Sequence, residues 1–114
     1  MMMKVVVLSA AVLMAAASGL RAQQAQQAKM GAELYASTCQ SCHGAAGTPS
    51  PAMARAMAGI PNFADSTTMA AVADSTLRNA IADGKGRMMA AYKSRLTPAQ
   101  IASLVTYIRS LSRH

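Results

Sequence analysis

The sequence predicts an all-α domain with long loops, on three observations. Residues 97–111 carry a complete helix start and one apolar stripe. No segment alternates apolar and polar residues as a half-buried strand does. Gly- and Pro-containing stretches separate several short helical patterns. With 114 residues the chain has room for one domain. That excludes a TIM barrel, a full dinucleotide-binding fold and any two-lobed enzyme. Aromatic residues make up only 4% of the chain, so a core of this size lacks its usual bulky fillers.

Taken in order, the first element is an address. One positive charge in residues 1–4 precedes Val5–Ala17, a run of 13 residues in which only Ser9 is polar. Small residues and a polar Gln-rich stretch follow, the layout of a secretory signal peptide. The run is shorter than the roughly 20 residues of a spanning helix. Residues 1–22 are therefore expected to be removed after Ala22, leaving no stable membrane insertion. Residues 23–28 form a flexible lead-in, and residues 29–114 form the domain. Lys29–Thr38 reads as a helix with Met30, Leu34 and Tyr35 on its apolar side, and Gly31 either allows close approach of a second helix or marks a frayed start. Residues 44–65 are irregular, with a short helix at Ala52–Met57. Helices are expected at Thr67–Ala73 and Ser75–Asp83, the latter stopped by Gly84. The last helix starts with Thr97, Pro98 and Gln100, a capping box with Pro at the first position. It presents Ile101, Leu104, Val105, Ile108 and Leu111 on one side.

The chemistry sits at Cys39-Gln40-Ser41-Cys42-His43. On a helical turn, positions i and i+3 share a face, so both sulfurs can reach one planar ring. His43 then offers a nitrogen beneath it. This C-x-x-C-H spacing is the c-type haem attachment signature, and an exported chain suits it. A redox disulfide would call for a thioredoxin-like βαβ pattern, which the sequence lacks. Zinc needs four ligands, and only the distant His114 could join these three.

From GAELYASTCQSCHG to LTPAQIASLVTYIRSL, about residues 29–112, the chain resembles the small monohaem class I cytochromes c of bacteria. The resemblance implies a cytochrome c-like bundle of about 3–5 short helices wrapped around one covalent haem c. It implies thioethers from Cys39 and Cys42, and iron held by His43 and a methionine. IADGKGRMMAAYKSRLT looks like the family's sixth-ligand loop, but the usual Pro is missing and two methionines are adjacent. The intact M-x-A-Y spacing favours Met89, with Met88 the alternative. The family also implies that Gly31 and Tyr35 pack near Tyr107 and Ile108, and that a proline carbonyl, Pro51 or Pro49, accepts the other His43 ring proton. Met30, Met53, Met57 and Met69 read as core filler.

The expected function is that of a periplasmic single-electron carrier, not an enzyme, because two axial ligands leave no open position. The alternative is a haem-based ligand-binding or sensory domain, or a weak peroxidase, with the sixth position open. The chain has 11 Lys+Arg against 4 Asp+Glu. Lys85, Arg87, Lys93 and Arg95 bracket the two methionines, with no acid between them in sequence, and are expected to dock acidic redox partner proteins. No motif or aromatic interleaving supports nucleic-acid binding.

Overall fold

The computed structural model describes residues 2–113, with side chains from Val12 to Arg113. His114 and the side chains of the first part of the expected signal peptide lie outside the described residues. Six helices follow one another: α1 Met2–Thr38, α2 Gln40–His43, α3 Pro51–Ala56, α4 Ser66–Ala70, α5 Asp74–Asp83 and α6 Pro98–Ser110. The fold is all-α, as the sequence predicts. Among the described residues the only bridge between extended backbone is the isolated Lys85–Met89 pair. The expected count of about 3–5 short helices is corrected to six, the first of them long.

α1 runs unbroken through residues 23–28, where the sequence predicts a flexible lead-in. Gln, Ala and Lys are good helix formers, and no Pro interrupts them. These residues are nevertheless exposed throughout. Burial begins at Gly31 and Tyr35, where α1 crosses α6.

The crossing depends on small residues. A Cβ built on Gly31 would collide with the backbone carbonyl oxygen of Ser103 and would lie 3.0 Å from the Tyr107 Cβ. Ser103 is fully buried there, and its hydroxyl is turned back onto the Ala99 carbonyl at 3.1 Å. The Tyr35 and Tyr107 rings meet with centroids 5.0 Å apart. Gly31→Ala should force the helices apart and cost about 1–3 kcal/mol, the usual range for overpacking. A lower denaturant midpoint in the mature protein is the expected result, and an unchanged midpoint would show that the crossing has slack.

α6 begins as the sequence predicts. Thr97 Oγ1 accepts from the Gln100 N–H at 3.2 Å, and the Gln100 side chain accepts from the Thr97 N–H at 2.8 Å. Ile101, Leu104, Val105 and Ile108 are buried, joined by Leu77 and Ile81 of α5, Met69 of α4, Tyr35 and Phe63. Arg109 leaves the same helix sideways. Its Nε donates to Asp74 at 2.7 Å and its Nη1 to the Met69 carbonyl at 2.6 Å, while Nη2 reaches the Val72 carbonyl. One guanidinium thereby ties α6 to the link between α4 and α5.

The shorter helices carry caps that periodicity alone does not locate. Ser50 caps α3 by accepting from the Met53 N–H, with Pro51 at the first turn. Asp65 caps α4. These caps move the observed starts one residue ahead of the expected Ala52 and Thr67.

Candidate functional site

The Cys39–His43 segment continues almost directly from α1. The Cys39 N–H donates to the Tyr35 carbonyl at 2.9 Å. The His43 and Cys42 N–H groups both return to the Cys39 carbonyl, at 3.0 and 3.3 Å. This is the single helical turn that the C-x-x-C-H spacing requires, and it turns Cys39, Cys42 and His43 toward one cavity.

That cavity has a volume of about 380 Å³. Thr38 and the three motif residues form one part of its wall, Met57 to Pro61 another, and Lys85, Met88, Met89, Ala90 and Tyr92 the rest. The two cysteines, the histidine and both candidate methionines therefore meet at one place. Both cysteines are unpaired and half-buried. Burial pushes the Cys39 thiol above its ordinary range, against an opposing hydrogen bond with Thr38.

The imidazole is held from below. His43 stacks on Phe63, with centroids 4.6 Å apart and planes 17° from parallel. Phe63 is buried, and its N–H donates to the Gly47 carbonyl at 2.9 Å. The Tyr35 hydroxyl donates to the Gly44 carbonyl at 2.7 Å, which closes the loop after the motif. Burial lowers the His43 pKa from its ordinary value, so the ring is held neutral with a lone pair free at neutral pH.

The Nδ1 of His43 is buried and has no hydrogen-bond partner. The expectation of a carbonyl from Pro51 or Pro49 is corrected on this point. Pro51 opens α3, and neither proline lines the cavity. Pro61 does, two residues before the ring that stacks on His43.

The methionine loop hangs from α5. The Tyr92 N–H donates to the Ile81 carbonyl at 3.0 Å, and the Lys93 N–H to the Ala82 carbonyl at 3.1 Å. Within the loop Lys85 and Met89 pair backbone to backbone, at 2.9 and 3.3 Å. Gly84 is needed for this turn: its φ is +75°, and a Cβ there would lie 2.5 Å from the Met89 carbonyl oxygen. The two methionines differ in setting. Met89 is half-buried against the core, whereas Met88 is 55% exposed. Met57, read as core filler, lines the cavity instead, because α3 ends there and its last turn faces the site.

The cation cluster is less uniform than its spacing implies. The Lys93 ammonium lies 3.3 Å from Asp83, so an acid absent from the run itself joins it in space. Arg95 sits over the Tyr92 ring, 5.1 Å from its centroid. Among the described residues, Lys85 and Arg87 have no ion-pair partner.

A small apolar slot walled by two thiols, a neutral imidazole and thioether sulfurs fits a covalently attached haem. Cys39, Cys42 and His43 share this cavity, but among the described residues no three His, Cys, Asp or Glu side chains are placed to hold a metal ion by themselves. No described helix is long and apolar enough to cross a membrane.

Comparison with known proteins agrees with the geometry. The chain is 32% identical over 94 residues to the Cbb3-type cytochrome c oxidase subunit FixP of Bradyrhizobium sp. (strain ORS 278), and 31% identical to FixP of Azorhizobium caulinodans. Each match spans 82% of this chain but only 31% and 30% of the relatives' own lengths, about a third. A solved structure, the KustC0563 c-type cytochrome, superposes with a TM-score of 0.66 at 31% identity, covering 73% of this chain and 98% of its own. Residues 26–108 match the family described as cytochrome c oxidase, cbb3-type, subunit III, and the chain belongs to that family as a small c-type cytochrome domain of the kind that transfers electrons through haem c.

Proposed function

We propose that this domain is an exported, periplasmic single-electron carrier with one haem c, its iron held by His43 and Met89. The observation that carries the reading is the convergence of Cys39, Cys42, His43 and Met89 on one cavity. When bound, the haem supplies an iron that cycles between ferric and ferrous. Cys39 and Cys42 would hold the ring covalently. His43, kept neutral by burial and oriented by Phe63, would offer its nitrogen to the metal. Met89 is the better supported of the two sulfurs, because its backbone is pinned by Lys85 and its side chain packs on the core. A thioether donor favours the ferrous state relative to a second imidazole. With both axial positions supplied by the chain, electron transfer rather than substrate chemistry is the work proposed.

The signal-peptide reading of residues 1–22 supports export. The basic surface beside the methionine loop supports docking of an acidic redox partner, an interaction that salt would weaken. The FixP relatives are oxidase subunits, which makes a membrane-associated oxidase complex a second setting for such a partner.

The test is a reduced-minus-oxidised spectrum and an intact mass of protein matured in a host competent for haem attachment. A covalent haem adduct with a low-spin spectrum that carbon monoxide leaves unchanged is expected. Haem attached but open to carbon monoxide at neutral pH would replace the carrier reading with the ligand-binding one.

A further inference from the structure

The charge inventory of the cavity leaves one group unexplained. Of the side chains lining it, Lys85 is the one Lys, Arg, Asp or Glu. The remaining wall is apolar side chains, thiols, thioethers and two hydroxyls. A cation at the rim of an apolar slot is placed to pair with an anionic group of whatever fills the slot. Among the described residues no Asp or Glu lines the cavity, and the chain's 4 acids lie beside other groups. Glu33 lies near Lys29, Asp74 holds Arg109 and Asp83 holds Lys93. Asp65 caps α4 and accepts from the Thr68 hydroxyl.

Lys85 is also fixed where it stands. Its N–H donates to the Met89 carbonyl at 2.9 Å, and its own carbonyl accepts from Met88 and Met89. Its side chain is exposed and therefore leaves the backbone at the mouth of the cavity rather than at its floor. An anion that suits this position belongs to whatever fills the slot and reaches its rim.

We propose that Lys85 binds a propionate carboxylate of the haem, and that this cation belongs to the cofactor site rather than to the partner-docking surface. The inference rests on the haem reading above. It splits the basic cluster into two roles. Lys85, at the cavity mouth, serves the ring's acidic edge, and among the described residues Arg87 remains an outward cation without an ion-pair partner. The pairing would also couple the methionine loop to the ring, because Lys85 and Met89 share a backbone bridge.

The experiment uses haem-loaded, full-length matured protein and the variants Lys85→Gln, Lys85→Arg, Arg87→Gln and Lys93→Gln. Intact mass is read first, and absence of a haem adduct in the unaltered protein would overturn both this proposal and the reading beneath it. With haem attached, resonance Raman spectra of the reduced proteins should show the propionate bending band shifted in Lys85→Gln, restored in Lys85→Arg and unmoved in Lys93→Gln. The salt dependence of reduction by an acidic redox protein should stay near that of the unaltered protein in Lys85→Gln, and should flatten in Arg87→Gln. A propionate band identical in Lys85→Gln and the unaltered protein would overturn the proposal while leaving the haem reading intact. So would a salt dependence that flattens in Lys85→Gln alone.

Discussion

Replacing both Cys39 and Cys42 with Ser should leave the chain without any covalent haem, and with it should go most of the domain's cooperative unfolding. The first half of this expectation follows from the site. The two thiols are the chain's only cysteines, and both line the cavity. The second half follows from size. A domain of this length buries only about 60–65% of the surface its unfolded chain exposes. Its described buried core contains two aromatic rings, Tyr35 and Phe63. A ring filling a cavity of about 380 Å³ would be a large addition to so small a core. Intact mass reads the first effect as loss of the adduct. Circular dichroism during thermal unfolding reads the second as loss of a sharp transition. A double variant that retained haem by mass would defeat the assignment of the thioethers, and one that unfolded as sharply as the unaltered protein would show that the polypeptide core suffices alone.

Separate replacement of the two adjacent methionines should give opposite results. Met89→Ala should abolish the weak far-red absorption that reports Met–iron ligation in the ferric protein, and should open the metal to carbon monoxide. Met88→Ala should leave both properties nearly unchanged. Met89 contributes packing as well as sulfur, so its removal should also destabilise the fold by about 2 kcal/mol, near the low end for methionine truncation because the side chain is only half-buried. Met88, 55% exposed, has little burial to lose. Absorption spectra and carbon monoxide titration of the two variants decide the matter. The reverse pattern would make Met88 the ligand, and loss in neither would point to Met57, the third methionine on the cavity wall.

Legibility in the sequence followed the range of the interactions involved. α6 was readable to its first residue, because a capping box and an apolar stripe are written in adjacent positions. The turn at Cys39–His43 was readable for the same reason: its hydrogen bonds close within four residues. Gly31 suggested a close helix approach, and the Ser103 carbonyl and Tyr107 are what it meets. The link under His43 was not readable. The resemblance implied Pro51 or Pro49, neither of which pairs with the Nδ1, whereas Phe63 is what stacks on the ring. No local rule says where an irregular loop of this length turns back. The same limit applied to Met57, whose spacing suits a core residue equally well.

The amino-acid sequence on its own determined the helical class, the attachment motif and the two methionines that compete for one role. Each of these depends on periodicity or spacing over a few residues, where backbone geometry leaves little choice. Tertiary structure alone decided which aromatic supports His43, which methionine is packed, and that Lys93 is paired while Lys85 stands at the cavity mouth. Those outcomes depend on how α5, α6 and two loops meet in space, and contacts between distant segments are set by mutual packing rather than by any local pattern.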